Sequence, residues 1–236
     1  MAAARRRLRV GIIGAGEFAA DCHIPGIQSH PDAELVALCG RRFQETRALA
    51  DRFQVPDVHT DYRELCRRRD IDAVTIVTPD TFHRDQAVCS LTHGKHVLCE
   101  KPLAMNVAEA RQMVAAAEKS GLVHQVGFIF RYNDGIAELR RRITAGEIGE
   151  PFYLRIQYDT WDGLRPDWKV TWRERYELGA GGVIAMWVSI CSISPATSSE
   201  ISNRRPGFAS TCLGSALTRE LARSRRSKPM TLPTVG

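Results

Sequence analysis

GIIGAGEFAADCHIPG, residues Gly11–Gly26, is the segment on which the fold assignment rests. It contains Gly14-Ala15-Gly16-Glu17-Phe18-Ala19, which matches the pattern G-x-G-x-x-(G/A). The first glycine of this pattern permits a tight turn, the second lets the backbone approach a pyrophosphate, and a small third residue allows the helix to pack closely on the strand. A glycine-rich turn that holds no ligand is the alternative. The pattern predicts dinucleotide binding at the start of a helix, at Gly14, Gly16, Phe18 and Ala19.

The segments around this motif alternate between strands and helices. Strands are predicted where apolar and β-branched residues run together, and helices where apolar residues recur at helical spacing. Strands separated by helices pair in parallel through right-handed crossovers. The sequence therefore predicts an α/β fold, a Rossmann-type doubly wound parallel sheet followed by an incomplete α/β second domain. The predicted strands are Leu8–Ile13, Ala33–Cys39, Ala73–Thr78, His96–Cys99 and Leu122–Phe130, with Pro151–Tyr158 as the first strand of the second domain. The predicted helices are Phe43–Phe53, Asp61–Arg69, Phe82–Thr92, a helix capped by Asn106 that runs to Ser120, and Asn133–Ala145.

The residues after the second predicted strand bear on the choice of coenzyme. An acidic residue often stands there and binds the ribose 2′-hydroxyl, but this chain has Cys39-Gly40-Arg41-Arg42. Guanidinium groups suit a 2′-phosphate, because they pair with it through two hydrogen bonds. We therefore expect NADP in preference to NAD, with Arg41 and Arg42 as ligands. The alternative is that both are solvated charges at the start of a helix.

Composition and charge exclude several classes of protein. The chain has 236 residues and a net charge of +6. The segment 186–236 accounts for +5 of that charge, so the body of the chain is almost neutral. No apolar run has the length of a membrane span, and the seven cysteines lack the spacing of a zinc site. We expect a cytoplasmic protein with reduced, buried thiols, no metal, and neither nucleic acid nor membrane as a partner.

Four further motifs carry a family resemblance. They are Gly94–Leu98, which leads into Cys99-Glu100-Lys101-Pro102, then Thr78-Pro79-Asp80-Thr81-Phe82-His83, and finally Gly127-Phe128-Ile129-Phe130-Arg131-Tyr132. Together with the glycine turn, and in their order along the chain, they resemble the glucose–fructose oxidoreductase / inositol dehydrogenase / MocA (Gfo/Idh/MocA) family. The resemblance covers about residues 8 to 185. It implies an NAD(P)-dependent oxidoreductase that transfers a hydride to or from a sugar, a polyol or a related hydroxy compound.

The resemblance also implies roles for individual residues. Lys101 is expected to be catalytic, because a cation there stabilises a developing alkoxide and can join a proton relay. Glu100 and Pro102 are expected to shape the loop, with a cis bond before the proline. The remaining cofactor-side residues are Thr78, Asp80, where the family usually has Asn, and His83, for which a role at the helix start is the alternative.

On the substrate side, the resemblance implies Arg131 and Trp168. The tryptophan is equally compatible with a place in the core of the second domain. Members of the family commonly associate as homo-oligomers, so we expect a homo-oligomer for an intact member. We divide the chain into a dinucleotide-binding domain, 1–130, the start of a substrate and oligomerisation domain, 131–185, and a tail without family pattern, 186–236, expected to be disordered.

The resemblance stops after Ala185. The family continues with a D-x-G-x-H-x-x-D helix, whereas this chain continues with Met186-Trp187-Val188-Ser189-Ile190-Cys191-Ser192 and has no histidine after His124. Read in a shifted frame, the same codons permit D-V-G-V-H-L-L-D, so we hypothesise a one-base deletion near codon 185. We expect weak or absent turnover, and the alternative function is a catalytically inactive dinucleotide-binding module.

Overall fold

The computed structural model describes residues 6–149, 171–172, 175 and 177–179. Its centre is a six-stranded sheet in the order β3-β2-β1-β4-β5-β6, in which every neighbouring pair is parallel. This is the strand order of a doubly wound dinucleotide-binding fold, so the predicted fold class is confirmed. The strands are β1, Leu8–Ile13, β2, Ala33–Cys39, β3, Asp57–His59, β4, Ala73–Ile76, β5, His96–Cys99, and β6, His124–Val126.

Helices connect the strands and follow the predicted positions closely. α5 begins after Asn106, whose side chain accepts a hydrogen bond from Glu109 N, and it ends at Gly121 with φ +64°. The first connection is less regular, because a π-helical turn, Ala19–His23, leads into α1. The helices are α1, Ile24–Ser29, α2, Phe43–Arg52, α3, Tyr62–Arg67, α4, His83–Thr92, which follows a 3₁₀ turn at Asp80–Phe82, α5, Val107–Ser120, and α6, Asp134–Thr144, which follows a 3₁₀ turn at Ile129–Tyr132.

The helices bury both faces of the sheet. On one face, Ile24 of α1 and Ala50 of α2 pack with Ile12 and Leu38 of the sheet. On the other face, apolar residues of α3, α4 and α5 pack on the opposite side of the same strands. Two-sided burial is what a parallel sheet requires, and it leaves the ends of the strands as the accessible part of the sheet.

Several local features differ from the sequence prediction. β3 was not predicted, because Asp57-Val58-His59 has no apolar run and pairs only along one edge of the sheet. β6 ends at Val126, so the predicted strand Leu122–Phe130 is too long at both ends. Cys22 is exposed rather than buried, although Cys39, Cys66 and Cys99 are buried thiols as expected.

The described residues fall into two compact units. Residues 6–128, with the short segments between 171 and 179, belong to the first, and residues 129–149 belong to the second. In the second unit, α6 is capped by Asn133, and its Glu138 is paired with Arg141 and Arg142. The domain limits at 130 and 185 stay a prediction, since most residues after 149 lie outside the described part. Among the described residues, no helix is both long enough and apolar enough to cross a membrane.

Candidate functional site

The glycine turn lies between the ends of three strands. Gly14 has φ +112°, and a Cβ built on it would stand 2.5 Å from the carbonyl oxygen of Val77, just after β4. Its N–H donates to Cys39 O at the end of β2, at 2.8 Å. Both the backbone angle and the close approach require glycine at position 14. The turn is thereby fixed at the carboxyl edge of the sheet, where doubly wound folds bind their ligands.

The next positions of the motif have the properties that a pyrophosphate site needs. A Cβ built on Gly16 meets no protein atom within 4 Å, so this side of the backbone is open to a ligand. Ala19 is fully buried against the sheet, and Phe18 is half-buried. Helical turns begin here, and the first backbone N–H groups of a helix are the usual donors to a bound phosphate. The residues present therefore fit a bound dinucleotide, and Gly14, Gly16 and Ala19 each have the local geometry that the motif predicts.

Arg41 and Arg42 follow the end of β2, directly beside the glycine turn. A Cβ on Gly40 would stand 2.9 Å from the Ala15 Cβ, so the two turns are in contact. Both arginines are exposed. Arg42 Nη2 lies 2.7 Å from Glu45 Oε2 on the first turn of α2. A 2′-phosphate at this position would therefore compete with a carboxylate for Arg42.

Thr78, Asp80 and His83 lie on the connection from β4 to α4. Thr78 Oγ1 donates to Gln86 Oε1 at 2.7 Å, and Asp80 is 4% exposed. His83 is fully buried at the first position of α4. Its Nδ1 lies 2.9 Å from the carbonyl oxygen of Pro102, and its Nε2 lies 2.9 Å from that of Thr78. His83 thus joins the loops after β4 and β5. Both of its ring nitrogens face backbone carbonyl groups of the protein.

The Glu100-Lys101-Pro102 loop follows β5 at the same edge of the sheet. Glu100 N donates to Ile76 O at 2.9 Å, which holds the loop against the end of β4. The Lys101–Pro102 bond is cis, as the resemblance implied. Lys101 is half-buried, and its backbone N–H donates to Glu100 Oε2 at 3.2 Å. The structure therefore brings the predicted catalytic lysine and the glycine turn to one edge of one sheet.

One buried polar contact of this edge was not predicted from the sequence. His23 Nε2 lies 3.0 Å from Glu100 Oε1, and the two side chains are 9% and 8% exposed. Neither the motifs nor the family resemblance assigns His23 to the site. The signal was available in principle, since His23 follows β1 and Glu100 follows β5, and the carboxyl ends of parallel strands meet at one edge.

The described thiols near the sheet do not have the properties of nucleophiles. Burial raises the pKa of Cys39 to about 12 and the pKa of Cys66 to about 12. Burial also raises the pKa of Cys99, at the end of β5, and burial together with Asp21 and Glu100 raises that of Cys22. A raised pKa keeps a thiol protonated and unreactive. Among the described residues, no group of three His, Cys, Asp or Glu side chains could hold a metal ion.

Of the two predicted substrate-side residues, Arg131 is among the described residues and Trp168 is not. Arg131 lies in the 3₁₀ turn Ile129–Tyr132 of the second unit, where it is exposed. Trp168 lies outside the described residues, as do the predicted strand Pro151–Tyr158 and the segment from Met186 onward. The roles given to Arg131 and Trp168, and those given to Lys101 and the cofactor-side residues, stay predictions.

Comparison with known proteins gives one family. Residues 8–128 match the sequence model of the Gfo/Idh/MocA oxidoreductase family with NAD-binding Rossmann fold. The chain is 34% identical over 175 residues to a D-glucoside 3-dehydrogenase of Escherichia coli K12, an alignment that covers 74% of this chain and 49% of the relative. The chain thus spans about half the length of such curated relatives.

Solved structures give the same result. An oxidoreductase domain protein from Kribbella flavida is similar with a TM-score of 0.72 and 32% identity, over 81% of this chain and 54% of that one. A scyllo-inositol dehydrogenase from Lactobacillus casei with NAD(H) and scyllo-inositol bound has a TM-score of 0.58 and 28% identity, over 61% and 43%. A mutant 3-ketoreductase from Actinomadura kijaniata in complex with TDP-benzene and NADP has a TM-score of 0.56 and 31% identity, over 61% and 44%.

Proposed function

Because the chain belongs to the Gfo/Idh/MocA oxidoreductase family, we propose that it binds a nicotinamide dinucleotide and that its Lys101 belongs to a centre for hydride transfer to or from a sugar or polyol. The observation that carries this proposal is the common location of two loops. The Gly14–Ala19 turn and the Glu100–Pro102 loop both lie at the carboxyl edge of the sheet, held by contacts to the end of β4. A pyrophosphate at the first loop brings the rest of the coenzyme toward the second.

The proposed substrate class follows the relatives. The Escherichia coli relative is a glucoside dehydrogenase, and the Lactobacillus casei structure contains scyllo-inositol. Glucosides and inositols both carry secondary hydroxyl groups on a ring. Such a hydroxyl group can be oxidised when a hydride acceptor and a cation stand next to it. A bound nicotinamide supplies the hydride acceptor or donor. The protein supplies the orientation of the two reactants and the charge at the substrate oxygen.

Lys101 has the central role among the chain's own residues. Its ammonium stabilises negative charge on the substrate oxygen while the C–H bond breaks, and its amine takes part in moving the hydroxyl proton. Glu100 and Pro102 hold the lysine on its loop. Thr78, Asp80 and His83 hold the loop after β4, on which the coenzyme is proposed to lie.

We propose NADP as the preferred coenzyme, with NAD as the alternative. Support comes from Arg41 and Arg42, which stand beside the glycine turn where a carboxylate would favour the 2′-hydroxyl of NAD. Each arginine can offer two N–H groups to a phosphate. NADP is the coenzyme in the Actinomadura kijaniata structure, and NAD(H) is the coenzyme in the Lactobacillus casei structure.

A second candidate function is a dinucleotide-binding module that does not turn over. It is favoured by one observation of sequence: the segment Met186–Ser192 has no histidine where the family resemblance would place a catalytic imidazole. In both cases we propose the division into a dinucleotide domain, 1–130, the start of a substrate domain, 131–185, and a tail, 186–236. We further propose a cytoplasmic location and, for an intact member, homo-oligomers.

Coenzyme titration followed by turnover assays tests these proposals. The full chain is titrated with NADPH and with NADH, and binding is followed by the fluorescence of the reduced nicotinamide. The chain is then assayed with a panel of glucosides and inositols, beside Lys101→Met and the matched exposed variant Lys119→Met. Binding with turnover that Lys101→Met abolishes and Lys119→Met retains supports the oxidoreductase. Binding without turnover supports the inactive module, and binding of neither coenzyme overturns both.

A further inference from the structure

We propose that His23 is a positioning residue, which fixes the backbone of Lys101 through the carboxylate of Glu100. The contact between His23 and Glu100 thus links the helical turn that follows the glycine motif to the loop that carries Lys101. The inference rests on the proposed function, and it adds a residue that neither the motifs nor the family resemblance assigned to the site.

The contact between His23 and Glu100 is polar, buried and distant in sequence. His23 Nε2 and Glu100 Oε1 are 3.0 Å apart, and both side chains are more than nine-tenths buried. A histidine that only filled space would not direct a ring nitrogen at a carboxylate. Burying a carboxylate without hydrogen-bond partners destabilises the fold by roughly several kcal/mol. The position of the Glu100 carboxylate therefore depends on the groups that donate hydrogen bonds to it.

The other carboxylate oxygen reaches the lysine. Glu100 Oε2 accepts a hydrogen bond from Lys101 N at 3.2 Å. One carboxylate oxygen therefore contacts the helical turn after β1, and the other contacts the loop after β5. Loss of the His23 contact would let the carboxylate rotate about its side chain, and the N–H of Lys101 would then lose a fixed acceptor.

Gly127 gives the carboxylate the space that it occupies. A Cβ built on Gly127 would stand 2.5 Å from Glu100 Oε1 and 2.9 Å from its Cδ. The carboxylate is thus confined between His23 on one side and the backbone after β6 on the other. Such confinement defines one position for the Glu100 side chain and, through it, for the Lys101 backbone.

His23 is in turn tied to the glycine motif. Its ring packs edge-on against the ring of Phe18, with centroids 5.5 Å apart and an interplanar angle of 68°. Phe18 is the fifth residue of the G-x-G-x-x-(G/A) motif. A continuous series of contacts therefore runs from Phe18 to His23, then to Glu100 and to the backbone of Lys101.

Competitive acylation of lysines in the full chain tests the proposal without relying on turnover. An amine-acylating reagent is applied in trace amounts, and the ratio of labelling at Lys101 to labelling at exposed Lys119 is read by peptide mass spectrometry. In His23→Phe, which keeps the ring but removes its nitrogens, we expect the ratio to rise by about threefold or more. His23→Gln, which retains an N–H donor at similar reach, is expected to restore the ratio of the original chain. His93→Phe, at an exposed histidine of the α4 C-terminus, is the matched control.

A second variant reaches the carboxylate from the opposite side. Gly127→Ala displaces Glu100 from His23 and should raise the same ratio, whereas Gly26→Ala, whose Cβ meets no atom within 4 Å, should not. A general loss of folding would raise labelling at Lys95, which is buried, together with Lys101, so Lys95 reports on global stability. An unchanged or lowered Lys101 ratio in both His23→Phe and Gly127→Ala overturns the proposal. This outcome is distinct from failure to bind NADPH and NADH, which overturns the proposed function instead.

Discussion

His83 Nδ1 lies 2.9 Å from the carbonyl oxygen of Pro102, across the boundary between α4 and the loop that carries Lys101. The opposite ring nitrogen lies 2.9 Å from the carbonyl oxygen of Thr78. One fully buried ring therefore holds two loops of the candidate site, and its removal would leave two backbone carbonyls without this partner.

His83→Phe is expected to lower the free energy of unfolding by about 1–3 kcal/mol, because the part-buried contacts between the imidazole and two backbone carbonyl groups are lost. Urea unfolding followed by circular dichroism measures the change. His93→Phe is the control, since His93 is exposed and a change there should stay within about 0.5 kcal/mol. Equal stability of the His83→Phe and His93→Phe chains would contradict the bridging role.

Gly14→Ala and Gly16→Ala should have different consequences, although both belong to one motif. Alanine at position 14 requires φ +112° and places Cβ 2.5 Å from Val77 O, so we expect a loss of roughly 2 kcal/mol or more in stability. Alanine at position 16 meets no protein atom, so stability should change by less than about 1 kcal/mol. The new methyl group stands where the pyrophosphate is proposed to lie, so NADPH affinity should fall about tenfold or more.

Thermal unfolding and NADPH titration of the two glycine variants separate these effects. Gly26→Ala is the control for a glycine with open space outside the motif. It should leave NADPH affinity unchanged and, because Gly26 lies within α1, should keep stability equal or raise it by up to about 1 kcal/mol. A Gly16→Ala chain that binds NADPH as tightly as the original would mean that the open side of this turn does not hold the pyrophosphate.

Arg41→Ala and Arg42→Ala should each weaken NADPH binding by about tenfold, because each removes charge-assisted hydrogen bonds to the 2′-phosphate. NADH binding should stay within about twofold, since NADH lacks this phosphate. Fluorescence titration with both coenzymes provides the comparison. Arg52→Ala, at the opposite end of α2, is the control for loss of a positive charge.

Glu45→Gln should change NADPH affinity in the opposite direction to the two arginine variants. Glu45 Oε2 lies 2.7 Å from Arg42 Nη2, so removing its charge releases the guanidinium for the phosphate. NADPH affinity should therefore increase, and NADH affinity should not. If Arg41→Ala, Arg42→Ala and Glu45→Gln all leave the NADPH-to-NADH ratio unchanged, the arginines are surface charges and the preference for NADP is wrong.

Asp70 should contribute to stability in a pH-dependent way. A bidentate pairing with Arg68, and a further hydrogen bond from Arg9, lower the pKa of Asp70 below its ordinary value. Because the pKa is lower in the folded chain than in the unfolded chain, folding favours the charged carboxylate. The contribution is therefore present above the ordinary aspartate pKa of about 4 and is lost as the pH falls below it.

Asp70→Asn is expected to lower stability at neutral pH and to flatten its decline on the acid side. The effect should be modest and should shrink with added salt, since the Asp70 side chain is 46% exposed. Urea unfolding at several pH values and two salt concentrations measures both trends. Asp32→Asn, at an exposed aspartate in the turn before β2, is the comparison, and identical pH profiles for the two variants would refute the assignment.

Most of the sheet could be predicted from the sequence because buried parallel strands are apolar along their whole length. β1, β2 and β5 have the predicted bounds, and α5 begins and ends at its predicted caps, Asn106 and Gly121. β3 could not be predicted, since a three-residue edge strand needs no apolar run.

The candidate site was predictable only where a motif specifies backbone geometry. The tight turn at Gly14 and the cis bond before Pro102 both agree with expectation. The contact between His23 and Glu100 joins residues 77 positions apart, and neither residue type indicates the other as its partner. Such contacts depend on strand order, which sequence patterns give only as a fold class.

The place of β1 between β2 and β4 affects how the protein is made on the ribosome. A nascent chain that has released β1, β2 and β3 already holds half of the sheet, but one edge of β1 has no strand beside it until Ala73–Ile76 emerges. During that interval an apolar strand with unpaired backbone groups is exposed to other chains and to chaperones. Pauses in translation after β3 has left the exit tunnel and before β4 has left it would prolong this vulnerable stage, whereas pauses after β4 has emerged would not.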